Sequence, residues 1–145
     1  MNLTNKLEDF KVNVKIKLAA LWTSVMFCYI YEDYFELYVP KKVEHIISGE
    51  NFLASPMTLC AGALLLIIPA LMIFLSIVLI PKLSRLLNII FGTLYTALML
   101  WIASNYSDKW FTFAIFFAIV ESIITSLIVW YAWKWSGIIT AATKD

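Results

Sequence analysis

The residues best suited to chemistry in this chain are acids set in apolar surroundings. Glu121 stands alone inside the run from Trp110 to about Trp135, where the next charge is Lys134. Asp33, flanked by Glu32 and Glu36, closes a stretch that is apolar from Leu18 to Tyr31. Placing a charged side chain at the centre of a bilayer helix costs about 2.5–3.5 kcal/mol on the translocon scale, so such residues normally face a bundle interior and mark a site. Glu121 lies about eleven residues, or roughly 16 Å of helix, from the outer start of its segment. It shares a face with Ala114, Ala118, Thr125 and Ala132, and small residues let neighbouring helices approach closely. Its carboxyl is therefore expected to point inward, either as a neutral acid donating a hydrogen bond or as a proton, cation or ligand site.

On the first segment Trp22, Met26, Tyr29, Asp33 and Glu36 follow one another at spacings of three and four, which is one stripe of a helix. Glu32, Tyr31 and Tyr34 lie at the level of Asp33 around the same helix. If the stripe faces the last helix, Asp33 and Glu121 bracket a polar cavity that opens outward. The plainer reading of Glu32 and Glu36 is that they snorkel to the outer headgroups. Farther along, Asn88, Gly92, Thr96 and Met99 form a stripe with Tyr95 beside it. Pro69 has no N–H to give, so the carbonyl of Leu65, four residues earlier, loses its helical partner. The candidate ligand-binding set is Asp33, Glu121, Tyr29, Glu32, Glu36, Asn88 and Tyr95. It contains no catalytic residue and no metal-ligand set, although clustered carboxylates can hold a hard cation loosely.

Other chemistries lack their residues. Cys28 and Cys60 fall on different segments with no Cys-x-x-Cys, which disfavours thiol exchange. The single histidine, His45, cannot make a bis-histidine haem site. No phosphate-binding glycine loop and no serine-nucleophile motif is present. A net charge of +1 offers no basic face for nucleic acid.

The elements that must carry these acids follow from hydropathy. The 145 residues are 62% hydrophobic and 14% charged, against about 25% charged in soluble domains. About 20 apolar residues span a bilayer, and Met57–Ile80, Leu86–Ser104 and Trp110–Trp135 each supply them. The uncharged part of the first segment, Leu18–Tyr31, has about 14 residues, or roughly 21 Å of helix, against a hydrocarbon core of about 30 Å. It spans only if it continues through Glu32, Asp33 and Glu36 to about Tyr38, before Pro40. A cleaved signal peptide is the competing reading, but no small-residue cleavage site follows. The expectation is one all-α domain over residues 1–145, an integral membrane antiparallel four-helix bundle. Its helices lie at about 17–38, 57–80, 85–104 and 110–135, with an external loop at 40–55. A solvated connector is the simpler expectation for that loop, and a short interfacial helix or a lid is the alternative. Lys6, Lys11, Lys15, Lys17, Lys82, Arg85, Lys134 and Lys144 fall on one side, and Lys41, Lys42 and Lys109 on the other. The positive-inside rule then puts both termini in the cytoplasm. Tyr106 and Trp110 on the outer approach, and Trp130, Tyr131, Trp133 and Trp135 at the inner end, read as aromatic belts.

Leu21-Trp22-Thr23-Ser24-Val25-Met26-Phe27, then Tyr29 and Asp33, resembles the opening of a family of small uncharacterised prokaryotic four-helix membrane proteins. Ile68-Pro69 with Ser76, Asn88-Ile89-Ile90, and Phe116-Phe117-Ala118 leading to Glu121 and Trp130-Tyr131-Ala132-Trp133-Lys134-Trp135 fit the same family. In hydropathy the chain is also similar, more distantly, to the DoxX-like group. The resemblance implies the topology and points to Asp33, Asn88 and Glu121 as polar positions, and it names no reaction and no cofactor. The functional expectation is a multi-pass protein of the cell membrane with an outward-facing polar site for a small cation, a proton or a lipid-like ligand. The alternatives are an accessory subunit of a larger membrane complex and, ranked last, a lipid- or quinone-linked enzyme. The expected partners are the lipid bilayer and either further copies of the chain or another membrane subunit.

Overall fold

A computed structural model describes residues 11–49, 53, 55–105 and 109–135; Lys6, Glu50, Tyr106 and Lys144 lie outside the described residues. The described residues form helices α1 (Val14–Glu36), α2 (Lys42–Ser48), α3 (Pro56–Val78), α4 (Pro81–Asn105) and α5 (Thr112–Lys134), with a single 3₁₀ turn at Lys109–Phe111 before α5. No strand occurs among them.

Local chemistry sets the helix ends. The Asn13 side chain accepts from Lys15 N and caps α1. Ser55 and Thr58 form a capping box at α3, and Pro56 takes the first-turn position where its missing N–H costs nothing. Leu79 turns extended two residues ahead of Pro81, which opens α4. In the 40–55 loop the helix alternative forms. The seven-residue α2 is bracketed by Lys41 (φ 64°) and Gly49 (φ 74°), both in the left-handed region. Gly49 adopts that region without a Cβ penalty and returns its N–H to the carbonyls of His45 and Ile46.

The four long helices have 23, 23, 25 and 23 residues, or roughly 34–38 Å each, enough to cross a hydrocarbon core. They are long and apolar enough to be membrane spans by length and composition. Their surfaces agree with lipid as the solvent: Leu64, Phe74, Leu94, Phe116 and Ile123 are exposed, while serines, an asparagine and a glutamate are buried. This multi-pass bundle has its polar groups inside.

α1 packs against α3 and α5, and α5 also packs closely along α4. The helices alternate in direction. The start of α1 meets the end of α3, where Lys15 Nζ donates to the carbonyls of Ile77 (3.0 Å) and Leu79. The start of α4 meets the end of α5, where Arg85 Nη2 donates to Trp133 O at 3.2 Å. Both cations sit on helix C-termini, where carbonyls lack partners and the dipole is negative. At the opposite end the Phe35 ring lies 6.3 Å from those of Phe113 and Phe117, so the end of α1 meets the start of α5. One end of the bundle is basic (Lys15, Lys17, Lys82, Arg85, Lys134) and the other carries Glu32, Asp33 and Glu36.

The core is built from Leu18, Trp22, Val25 and Tyr29 of α1, Met72 of α3, Tyr95 and Met99 of α4, and Ala118, Ile128 and Ala132 of α5. The α5 face expected from the sequence, Ala114, Ala118, Glu121, Thr125 and Ala132, is the buried one. Gly92 brings α4 against α5 so closely that a Cβ there would lie 2.8 Å from Val129 Cγ2. Beside it, Thr96 Oγ1 is 2.8 Å from Gly92 O and 2.7 Å from Thr125 Oγ1.

Candidate functional site

The interior holds two polar groups of opposite character. At the basic end the network is closed. Trp22 Nε1 donates to Asn88 Oδ1 at 2.8 Å, and Asn88 Nδ2 donates to Ser84 O at 2.8 Å and to Ser76 Oγ at 3.1 Å. Ser84 Oγ donates to Ser76 O at 3.0 Å. Trp22, Ser76, Ser84 and Asn88 are all 0% exposed. A fully satisfied buried network of this kind holds helix positions, here tying α1, α3 and α4 together. Asn88 thus lies apart from the acids, with both atoms of its amide engaged.

Tyr95 sits between the two groups. Its hydroxyl donates to Leu65 O, the carbonyl that Pro69 releases. Its ring meets Trp22 edge-on, with centroids 5.9 Å apart and planes at 87°.

At the acidic end the second group is open. Glu121 is 0% exposed, and neither of its carboxyl oxygens has a hydrogen-bond partner. The hydroxyl of Tyr29, a residue 7% exposed, is also without a partner. The two lie within electrostatic reach of each other, and the charges of Glu32 and Asp33 reach Glu121 as well. By helix count Tyr29 stands about seven residues, or roughly 10 Å, inside the end of α1, and Glu121 about nine residues, or roughly 14 Å, past the start of α5. Glu32, Asp33 and Glu36 lie nearer the mouth.

Tyr29, Glu32, Asp33 and Glu36 line a cavity of about 170 Å³ together with Leu65, Leu66, Met99 and Ile102, while Glu121 lies behind that lining. α1 supplies its polar wall, and α3 and α4 its apolar wall. Asp33 is exposed, and Glu32 and Glu36 are half-buried. At the rim Lys42 reaches back from α2 to ion-pair with Glu36. Among the described residues no group of three histidine, cysteine or carboxylate side chains converges closely enough to hold a metal ion. Cys28 and Cys60 are free thiols.

Of the residues singled out in the sequence, the structure gathers Tyr29, Glu32, Asp33 and Glu36 around one cavity, with Glu121 in electrostatic reach behind them. It puts Asn88 in the closed network and Tyr95 on the α3 carbonyl. The sequence reading missed Trp22, Ser76 and Ser84 as partners of Asn88. The spacing of Ser84 and Asn88, one helical turn apart, was the available signal. A larger groove of about 630 Å³ runs between α4 and α5, lined by Thr96, Leu100, Ile119, Ser122, Ile123, Ser126, Leu127 and Trp130. Its walls are mostly apolar, and the Ser122 and Thr96 hydroxyls are spent on Ala118 O and on Gly92 O and Thr125.

Residues 5–141 match the model of a family of unknown function, DUF6326. The chain belongs to that family. The match covers all four membrane-capable helices of this DUF6326 protein. No curated protein and no solved structure matches it, so nothing found supports the more distant DoxX-like likeness.

Proposed function

We propose that this DUF6326 member is a multi-pass protein of the cell membrane, with both termini cytoplasmic, that binds or passes a small cation or a proton through an outward-facing intramembrane site. The residues in question are Tyr29, Glu32, Asp33, Glu36 and Glu121. The observation that carries the reading is Glu121: a carboxyl fully buried in the bundle with both oxygens unpartnered, beside an unpartnered Tyr29 hydroxyl. A buried polar group without a partner costs about 1–3 kcal/mol, more if it is charged, and a bundle that tolerates it does so for a reason other than stability. The sign of the neighbouring groups favours a cation. The eight-to-three cation asymmetry of the chain supports the orientation, which turns the acid-lined cavity outward.

Below the site the interior is filled by Trp22, Met72 and Tyr95. Passage across the membrane therefore needs a second copy or a rearranged bundle, whereas binding needs neither. The test is proton and cation movement in vesicles containing the full chain. A pH-sensitive dye reports the response to imposed gradients of Na⁺, K⁺ and organic ammonium salts, alongside calorimetric titration of the same salts in detergent. Glu121→Gln should abolish whatever response the wild type gives. A variant that responds as the wild type does would sink the reading.

A further inference from the structure

We propose that the groove between α4 and α5 holds one anionic glycerophospholipid, with its phosphate on Lys82, Arg85 and Lys134 and an acyl chain in the groove. The site is independent of the acid-lined cavity, and its charged mouth lies at the opposite end of the bundle.

The groove is about as long as one leaflet is deep. Along α5 its wall runs from Trp130 back to Ile119, about eleven residues, or roughly 16 Å of helix, against about 15 Å for half a hydrocarbon core. Its volume is about 630 Å³, and an adjoining space of about 320 Å³ continues it past Ala97, Thr93 and Val129 toward the basic end. It opens sideways to lipid, for Leu100, Ile123, Leu127 and Trp130 are exposed.

Each helix that lines the groove carries a cation past that basic end. Lys134 lies one turn beyond Trp130, and its Nζ stands 4.5 Å from the Trp130 ring centroid. Arg85 lies two turns beyond Thr93 and crosses the seam, where Nη2 donates to Trp133 O at 3.2 Å. A guanidinium has five N–H donors in a fork that suits phosphate, so Arg85 can hold both partners. Next to this seam Lys82 and Arg85 line a pocket of about 220 Å³ with Pro81 and Trp135. Among the described residues no carboxylate pairs with these three cations. Glu32, Asp33, Glu36 and Glu44 belong to the other end of the bundle. Lys15 and Lys17 are engaged elsewhere, on the last carbonyls of α3 and over the Tyr131 ring.

These charges choose the occupant. Two copies joined along this seam by a two-fold axis would set Arg85 and Lys134 against themselves, a like-charge contact that opposes association. A lipid phosphate neutralises the same cations while its tail covers the apolar wall, and basic pockets between membrane helices suit anionic headgroups.

The experiment is native mass spectrometry of the full chain in mild detergent, titrated with dioleoylphosphatidylglycerol, dioleoylphosphatidylcholine or glycerol 3-phosphate. Circular dichroism confirms that each variant is folded. One phosphatidylglycerol should bind per chain, about ten-fold or more tighter than phosphatidylcholine. Arg85→Gln with Lys134→Gln keeps a donor for Trp133 O and should erase that preference, whereas Arg85→Lys with Lys134→Arg should retain it. Ser126→Phe, at an exposed groove position, should weaken phosphatidylglycerol binding with the cations intact. Equal affinity for the two lipids, or a preference that survives the double Gln variant, would overturn the proposal. So would glycerol 3-phosphate binding as tightly as the lipid, or phosphatidylglycerol binding untouched by Ser126→Phe, because the groove would then hold no chain. A dimer that Ser126→Phe dissociates would give the groove to a second copy and overturn it as well.

Discussion

The pairing of Tyr95 with Leu65 can be tested as a unit, because one residue creates the need and another meets it. Pro69 removes the N–H that would have bonded to Leu65 O, and the Tyr95 hydroxyl donates to that oxygen from α4. Tyr95→Phe keeps the ring and its edge contact with Trp22 and deletes only the donor. An unsatisfied carbonyl costs about 1–3 kcal/mol, and hydrogen bonds between membrane helices average about 0.6 with a ceiling near 1.7 kcal/mol. The loss should therefore be about 1–2 kcal/mol. Pro69→Ala returns an N–H to the same carbonyl from within α3. In that background Tyr95→Phe should cost under about 0.5 kcal/mol, a coupling of about 1 kcal/mol in a double-mutant cycle. Reversible unfolding in mixed micelles, followed by circular dichroism, measures all four corners. The absolute effect of Pro69→Ala, which also changes the bend of α3, cancels from the coupling. Equal costs of Tyr95→Phe in both backgrounds would refute the argument that the hydroxyl answers the proline.

Gly92→Ala should destabilise the bundle by up to about 2 kcal/mol, the overpacking cost of about 1–3 kcal/mol less about 1 kcal/mol of helix propensity. The clash is with a stiff β-branched side chain, Val129 Cγ2 at 2.8 Å, so adding Val129→Ala should restore most of the loss in the same unfolding assay; failure of that rescue would count against a clash. For orientation, Ile47→Cys on α2, in a Cys28→Ser, Cys60→Ser background, should react with a membrane-impermeant maleimide added outside intact cells. Labelling only after permeabilisation would invert the assignment.

How far the sequence reached differs residue by residue. The α5 face around Glu121 was legible, because small residues at helical spacing beside one acid leave little choice of inward side. The released carbonyl of Leu65 was legible too, since it follows from proline covalent chemistry alone. The identity of its partner was not, for Tyr95 is thirty residues away and reaches it only when α3 and α4 take one particular rotation. Asn88 shows the same limit. Its amide at membrane depth marked it as a site candidate, and only packing revealed that Trp22, Ser76 and Ser84 take up that amide. The α2 helix hid in a loop of mixed charge, where seven residues carry too little periodicity to be read.

The sequence by itself determined the solvent and the number of long helices, because both follow from sums along the chain: runs of about 20 apolar residues and prolines and caps at their ends. It also put acids in the C-terminal half of the first segment and near the centre of the last. The tertiary structure decided which polar groups close on one another and which stay open. In lipid the outside of a helix is as apolar as its inside, so hydrophobicity does not choose how the helices turn. Close approach at Gly92, the Asn88 network and the Tyr95 bond choose it instead. With those contacts made, Glu121 and Tyr29 are, among the described residues, the buried side chains left without hydrogen-bond partners.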